Sequence, residues 1–321
     1  MRIIKWILVA LVGIVAAALI LGYTPDSDAD AMRAKYAGGA SRFLTLTPGL
    51  TIHVRDQGLR SGRALVFIHG SNASLHTWQP WVERLQDQYR IISLDLPGHG
   101  LTGAAPNGRY DSASYVDIVD QVMQRLGVTH AVIAGNSMGG GVSWNYALTH
   151  PEKVDGLVLI DAAGAPSAKS RNAPIGFRIA RIPVLRDLAS IITPRSLFEA
   201  SLKTSVYNPA FATPQMVDRY WELNRFPGNR EATMARFAQM PQNRPASPQR
   251  LAAIKVPVLI LWGAEDNLIP VAAAHWFHAA LPTSRLIIYP KVGHIPMEEI
   301  PDQSAADLKR WLAGLSLSAI P

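Results

Sequence analysis

Short apolar runs alternate with longer amphipathic stretches from residue 42 onward. Two alternating segments, Leu44–Leu46 and Thr51–Arg55, flank Pro48-Gly49 and predict an antiparallel hairpin. Six continuously apolar runs bounded by Gly, Pro or Asp then predict buried strands over Ala64–His69, Arg90–Leu94, Ala131–Gly135, Gly156–Ile160, Val256–Trp262 and Leu286–Tyr289. A longer period predicts helices over Asp111–Leu126, Gly139–Leu148, Val271–Leu281 and Asp302–Leu312. This order predicts an α/β fold whose mostly parallel sheet carries helices on both faces.

The alternation stops between Ile160 and Val256, where no convincing parallel strand occurs. The intervening sequence is rich in Pro and bulky apolar residues. We interpret residues 163–248 as a mostly helical cap inserted after the sixth strand, with residues 42–162 and 249–321 forming the core. A cap that shapes a pocket is favoured over an ordinary lobe with its own core.

An apolar N-terminal stretch precedes the globular part. Trp6–Gly22 carry no charge and are about long enough to span a bilayer. We predict a membrane anchor over residues 1–23 and a tether over residues 24–41. A cleaved signal peptide, with a small-x-small site at Ala29–Ala31, and a buried helix are the alternatives. The globular part is expected outside the cytoplasm, in the periplasm of a Gram-negative host, or secreted if the segment is cleaved.

Composition narrows the possible chemistry. The chain has no cysteine, which excludes disulfides, thiolate metal sites and a cysteine nucleophile. Its formal charge of +7 includes no long basic run, so no nucleic-acid partner is predicted. Residues 165–250 hold 13 Lys and Arg against 5 Asp and Glu, so the basic surplus lies in the cap. That surplus could attract anionic substrates or lipid, although simple solvation is the default interpretation.

A nucleophile is indicated where the predicted strand Ala131–Gly135 meets the next helix. The sequence Gly-Asn-Ser-Met-Gly begins at Gly135 and has the G-x-S-x-G pattern in a strand–turn–helix setting. Such a turn holds its central residue in a strained conformation at a helix N-terminus, where developing negative charge is favoured. We therefore predict Ser137 as the nucleophile.

A serine hydroxyl needs a base, and nine histidines are available. His294 lies directly after the last predicted strand, at the sheet edge expected to carry Ser137. His69 and His99 also lie in loops at this edge, but we predict that they brace those loops. The remaining histidines, placed at the surface or on the flanks, are assigned structural or solvated roles.

The acid that orients the histidine should follow a neighbouring strand. Asp266 follows the penultimate strand and is the preferred candidate. Asp161, at the end of Gly156–Ile160, could also reach the imidazole, and the adjacent Glu265 is a third possibility.

Acyl chemistry requires two N–H donors aimed at the developing oxyanion. The backbone N–H of Met138 supplies one, and the N–H of Ser71 in the loop after the third strand is predicted to supply the other. Gly70, Asn72 and Trp78 are expected to border the substrate. Packing of Trp78 in the core is at least as compatible with the sequence.

These motifs resemble those of the α/β-hydrolase superfamily, over Arg42 to Leu315. The resemblance is carried by HGSN at 69–72, DLPGHG at 95–100, GNSMGG at 135–140, WGAEDNLIP at 262–270 and VGHIP at 292–296. It implies an eight-stranded, mostly parallel sheet. It also implies Ser137 as nucleophile, Asp266 as acid and His294 as base, with no cofactor and no metal.

Within that superfamily the chain is most similar to capped enzymes that include carboxylesterases and meta-cleavage-product hydrolases. Serine at the turn argues against the related haloalkane dehalogenases and epoxide hydrolases, which use aspartate there. In the carbon–carbon hydrolases tryptophan usually follows the histidine, whereas Ile295 stands here. We predict hydrolysis of carboxylic esters of a small, largely apolar substrate. The alternatives are carbon–carbon hydrolysis of a meta-cleavage-type dienoate and a non-catalytic, membrane-tethered binding module; no oligomeric state is predicted.

Overall fold

Eight strands form one sheet in the computed structural model. The model describes residues 22–46, 49–166, 182–240 and 243–315, and also positions 4–7, 9–10, 13–14 and 17. The strands are β1 (Ser41–Leu46), β2 (Leu50–Gly58), β3 (Ala64–Ile68), β4 (Arg90–Leu94), β5 (Ala131–Asn136), β6 (Val154–Ile160), β7 (Val258–Gly263) and β8 (Ser284–Tyr289). Their spatial order is β1-β2-β4-β3-β5-β6-β7-β8, and only the β1–β2 and β2–β4 pairs are antiparallel. The predicted eight-stranded, mostly parallel sheet is confirmed.

Helices flank this sheet and fill the region between β6 and β7. The described α-helices are α1 (Ala29–Tyr36), α2 (Gln79–Leu85), α3 (Ser112–Arg125), α4 (Met138–Thr149), α5 (Pro183–Ile191), α6 (Arg195–Ser205), α7 (Pro214–Asn224), α8 (Asn229–Gln239), α9 (Pro248–Leu251), α10 (Ala272–Ala280), α11 (Pro296–Glu299) and α12 (Pro301–Ala313). Buried apolar side chains cover both faces of the sheet, as the continuously apolar strands predict.

The parallel strands end at a common edge. Ile68 pairs with Gly135, Asn136 with Ile160, and Gly263 with Tyr289. Because parallel strands run in the same direction, the loops after β3, β5, β6, β7 and β8 meet at this edge.

Helices α5 to α8 form the described part of the predicted cap, and a buried polar network joins the cap to the core. The guanidinium of Arg219 and the hydroxyl of Tyr220, both on α7, donate to Glu298 on α11 at 2.5 and 2.6 Å. The hydroxyl of Thr77 donates to the same carboxylate at 2.5 Å. This network holds α7 beside the helix that follows the His294 loop.

The segment predicted to be a tether is folded against the globular part. Asp28 caps helix α1, and its side chain accepts from Ala31 N at 2.7 Å. The hydroxyl of Tyr36 donates to Glu222 of the cap at 2.6 Å, and Arg230 of α8 donates to Asp26 at 2.7 Å. This segment therefore joins cap and core instead of forming a free linker.

The described residues contain no helix that combines the length and apolarity needed to cross a bilayer. Most of the predicted anchor, residues 1–23, lies outside the described residues. The anchor stays a prediction.

Candidate active site

Ser137 occupies a tight turn between β5 and α4. Its backbone has φ 53° and ψ −118°, a conformation that residues other than glycine rarely adopt. A Cβ built on Gly139 would lie 2.0 Å from Ile68 O, and one built on Gly135 would lie 2.2 Å from Gly139 O. Glycine at both positions allows strand and helix to approach closely enough to form the turn. The side chain of Ser137 stays partly accessible.

A buried acid–imidazole pair lies at the same sheet edge. Nδ1 of His294 lies 2.7 Å from Oδ2 of Asp266. The other carboxylate oxygen, Oδ1, accepts from Leu268 N at 2.7 Å and from Ile269 N at 3.0 Å. With the carboxylate held on both oxygens, Nδ1 carries the proton and Nε2 is free to act as a base.

The two rival acids have different surroundings. Asp161 is fully buried and accepts from Gly263 N at 3.0 Å, while its Oδ2 has no hydrogen-bond partner. Burial and the neighbouring Asp266 carboxylate raise the pKa of Asp161 well above its ordinary value. Glu265 is exposed. Of the three candidates, Asp266 makes the hydrogen bond to His294.

One group of acids and imidazoles among the described residues could supply three ligand atoms to a metal. The ligand atoms of Asp161, Asp266 and His294 lie within 4.8 Å of one another. The Asp266–His294 hydrogen bond already uses the facing atoms of that pair, and burial raises the pKa of the third member, Asp161, which disfavours its ionised form. These donors fit a hydrogen-bonded acid–imidazole pair better than a cation site.

Asn136 links the nucleophile turn to the histidine loop. Its side-chain amide donates to the backbone carbonyls of Ile160 at 3.2 Å and His294 at 2.9 Å. The sequence analysis did not assign a role to Asn136, because its partners are distant along the chain. No hydrogen bond to the hydroxyl of Ser137 occurs within the described part of the chain. Such contacts often tighten only when substrate binds.

The loop after β3 lies directly over the turn. A Cβ on Gly70 would lie 3.2 Å from the Cβ of Ser137 and 2.8 Å from Oδ1 of Asn136, so glycine allows this approach. Met138 is the first residue of α4, and its N–H has no acceptor within the helix. The N–H of Ser71 likewise donates to no described acceptor. Both amides are therefore available to an oxyanion.

His69 and His99 lie behind this loop. Nδ1 of His69 donates to Gly70 O at 2.7 Å, and its Nε2 accepts from Leu96 N at 3.0 Å. Burial lowers the pKa of both histidines. The hydrogen bonds of His69 are those of a residue that braces the loop.

Trp78 lies away from the accessible part of the site. Its indole is fully buried and packs at 5.0 Å from Phe67 and 5.5 Å from Trp81, measured between ring centroids. The expectation that Trp78 borders the substrate is not supported, since it has no accessible surface. It belongs to the core.

A second serine–histidine–aspartate arrangement lies at the start of the sheet. Nδ1 of His53 is 2.7 Å from Oδ2 of Asp95, and its Nε2 is 2.8 Å from Oγ of Ser41. The hydroxyl oxygen of Ser41 also accepts from Arg55 Nε at 3.1 Å, and the backbone N–H of Ser41 donates to Gly38 O. With that oxygen engaged and no free amide beside it, this cluster is structural.

His53 and also His76 are buried, which corrects the prediction that they lie at the surface or on the flanks. Nε2 of His76 donates to Tyr36 O at 3.0 Å, and its Nδ1 accepts from the Ser74 hydroxyl at 3.1 Å. Partners far away in sequence make this burial possible.

Comparison with known proteins agrees with this fold. A model of the alpha/beta hydrolase fold matches residues 63–301. The chain belongs to this family. The resemblance of its motifs to α/β-hydrolases is thereby confirmed.

Several proteins are similar to this α/β-hydrolase over most of its length. Lipase 1 of Psychrobacter immobilis is 27% identical over 84% of this chain and 83% of its own length. YugF of Bacillus subtilis, an uncharacterized hydrolase, is 27% identical over 79% of this chain and 91% of its own length. A crystal structure of a membrane phospholipase A, described as a bacterial virulence factor, is 25% identical, covers 98% of this chain and 99% of its own, and has a TM-score of 0.74.

Proposed function

We propose that the protein is a membrane-anchored serine hydrolase of carboxylic esters. The observation that carries the proposal is the strained Ser137 at the start of α4, at the same sheet edge as the Asp266–His294 pair. This combination matches what acyl transfer needs: an accessible hydroxyl, an oriented base and two free N–H groups.

In the first half of the reaction, Oγ of Ser137 attacks the ester carbonyl carbon while Nε2 of His294 takes the hydroxyl proton. The carbonyl oxygen becomes negative and accepts from the N–H groups of Met138 and Ser71. Asp266 holds Nδ1–H and stabilises the imidazolium. Collapse of the tetrahedral intermediate breaks the carbon–oxygen bond, and the alcohol leaves with the proton from His294.

In the second half, water attacks the carbonyl of the acyl-enzyme and gives one proton to His294. The same two N–H groups stabilise the second oxyanion. Collapse returns the proton to Oγ of Ser137 and releases the carboxylic acid. No redox partner enters this sequence of steps.

Two comparisons support an ester substrate and the membrane location. One is the similarity to a lipase, and the other is the similarity to a membrane phospholipase A over nearly the whole chain, including its N-terminal part. We infer that the substrate is a largely apolar acyl ester and that the catalytic domain faces the extracytoplasmic side.

The test is hydrolysis of 4-nitrophenyl butyrate by purified variants. Ser137→Ala and His294→Gln should each lower kcat by about 10⁴-fold or more. The matched control Glu265→Gln changes an exposed carboxylate next to Asp266 and should keep kcat within about twofold. A folded Ser137→Ala protein with unchanged kcat would contradict the proposal and would leave the binding-module alternative.

Carbon–carbon hydrolysis is the second candidate, because the GNSMGG motif at 135–140 resembles that of the meta-cleavage-product hydrolases. It is less favoured because Ile295 stands where those enzymes usually have tryptophan. Rates on a vinylogous dienoate and on a short-chain aryl ester separate the two. A strong preference for the dienoate would reverse the ranking.

A further inference from the structure

A buried cation without a carboxylate partner lies beside the loop that holds Ser71. Arg236, on helix α8 of the cap, is 5% exposed. One Nη group donates to the hydroxyl of Ser71. Its Nε has no hydrogen-bond partner, and no carboxylate pairs with it among the described residues. The guanidinium carbon lies 4.5 Å from the ring centroid of Phe237.

Other buried polar atoms near Arg236 are also unpartnered. Thr233 lies three residues earlier on α8, hence on the same side of the helix, and its hydroxyl makes no hydrogen bond. Oδ1 of Asn72, next to Ser71 in the loop, and Nε2 of His99 also have no partner. Helix α8 packs directly on the loop that carries His99, since a Cβ on Gly98 would lie 2.7 Å from the Cβ of Ala232.

The titratable groups that face Arg236 do not neutralise it. They are Tyr115 and the imidazoles of His69 and His99. Burial holds the pKa of both imidazoles below the usual value, so they are neutral near pH 7. Burial also lowers the pKa of Arg236, yet a guanidinium keeps its proton in proteins. A buried, unpaired charge is costly, and an anionic ligand would compensate it.

We propose that Arg236 and Thr233 form an anion subsite for a carboxylate or phosphate that the ester substrate carries within a few bonds of its scissile carbonyl. The short span follows from the loop geometry. Ser71, which Arg236 contacts, directly follows Gly70, and Gly70 lies against Ser137. This inference rests on the proposed ester hydrolysis.

The guanidinium supplies planar, charge-assisted donors that suit either anion. The Thr233 hydroxyl adds a donor, and the Asn72 carbonyl oxygen can accept from a hydroxyl on the same substrate. The subsite would thereby bind the substrate through an interaction already present in the ground state. Its loss should raise KM more than it lowers kcat.

The first experiment compares the mono-4-nitrophenyl ester of glutaric acid with its neutral carboxamide analogue. The wild type should prefer the carboxylate by about 30-fold in kcat/KM, and Arg236→Gln should abolish that preference, mainly by raising KM for the carboxylate ester. Arg236→Lys, which keeps the charge, should retain part of the preference. Arg244→Gln, at an exposed cap arginine, should behave as wild type.

A second arm distinguishes the two anions. It compares a monobutyryl ester of glycerol 3-phosphate with monobutyrin, which lacks the phosphate. A preference for the glycerophosphate ester alone assigns the subsite to phosphate, and a preference for the glutarate ester alone assigns it to carboxylate.

Three results would overturn the anion subsite. The first is equal wild-type kcat/KM on the charged and neutral members of both pairs. The second is an Arg236→Gln variant whose kcat/KM falls equally on the charged and neutral esters. The third is an anion preference that survives in folded Arg236→Gln. If Arg236→Gln does not fold, inhibition of the wild type by glutarate and glycerol 3-phosphate decides, and its absence overturns the inference. Failure of the wild type on every ester would instead contradict the proposed function itself.

Discussion

Asp161 and Asp266 are identical side chains that follow neighbouring strands, and their surroundings give them different hydrogen-bond partners. Asp266 accepts from two backbone N–H groups and contacts the imidazole of His294. Asp161 accepts from one N–H in a fully buried position. The sequence places both at the correct sheet edge but does not indicate which contacts the imidazole, because their partners depend on packing of distant segments.

Substitution by asparagine should separate these two acids. Asp266→Asn removes the charge that fixes the tautomer of His294, so kcat for an aryl ester should fall by about 10³- to 10⁴-fold. Asp161→Asn replaces a carboxyl group that makes no hydrogen bond to His294 by an amide of similar size and should lower kcat by less than about tenfold. Steady-state kinetics of the two variants, with folding checked by circular dichroism, measure this. The reverse order would mean that Asp161 is the orienting acid.

Buried histidines should make the protein sensitive to acid. Burial, opposed by Asp95 and reinforced by Arg55, lowers the pKa of His76 from its usual 6.5 to about 4. Between these values the unfolded chain binds more protons than the folded one, so the free energy of unfolding decreases as the pH falls from 6.5 to 4. The contribution of His76 is at most about 3 kcal/mol.

His76→Gln should keep a donor for Tyr36 O and remove the titration. Urea unfolding at pH 7 and at pH 4.5 should then show a smaller loss of stability for the variant than for the wild type. The same loss in both proteins would assign the acid sensitivity to other groups.

At the scale of elements, the turn between β5 and α4 depends on close backbone approach. Gly139→Ala would place a Cβ 2.0 Å from Ile68 O and should destabilise the protein by about 3 kcal/mol or more. Gly141→Ala, in the same helix, meets nothing closer than 3.4 Å and should be neutral or stabilising by about 0.5–1 kcal/mol. Chemical denaturation measures both, and equal effects would contradict this explanation of the motif.

The N-terminal segment is the second feature at this scale. Asp26 is the carboxylate partner of Arg230, whose side chain is 4% exposed. Asp26→Asn removes the carboxylate that pairs with this guanidinium and should lower the free energy of unfolding by about 1–2 kcal/mol. Asp30→Asn breaks the exposed pair with Arg33 and should change stability by less than about 0.5 kcal/mol. Thermal unfolding of the two variants tests whether the segment stabilises the cap.

The core strands and helices were predictable because their apolar runs match the period of the element they form. The folding of residues 24–41 against the cap was not. Helix α1 carries charged residues at three of its eight positions, and its apolar side chains pack on Leu101, Leu223 and Phe226, which lie far away in sequence. The polar contacts of Tyr36 with Glu222 and of Asp26 with Arg230 are equally distant. The local sequence pattern of residues 24–41 is therefore typical of a linker.

At the scale of the whole molecule, residues 1–21 and 22–37 should have separable roles. The first stretch is proposed to anchor the chain, whereas residues within the second contact the cap. Deletion of residues 1–21 should release the protein into the soluble fraction and leave kcat/KM on a water-soluble ester within about twofold. Fractionation of cells that express each form measures this, and unchanged membrane association of the shortened chain would argue against the anchor.

The reacting groups lie far apart along the chain, so the whole fold is needed to bring them to one sheet edge. Motif spacing predicted the three residues, yet the contacts that hold them, such as Asn136 to His294 O, depend on tertiary packing. The arginine on α8 was visible in the sequence only as part of a basic surplus. Its lack of a carboxylate partner is a property of the folded protein.

The proposed reaction depends on Ser137 being an activated nucleophile. This is tested by intact mass measured after incubation with a fluorophosphonate, followed by peptide mapping. The wild type should carry one adduct per chain, located on Ser137, and folded Ser137→Ala should carry none under the same conditions. An equal extent of labelling in both proteins, or an adduct on another residue of the wild type, would contradict it.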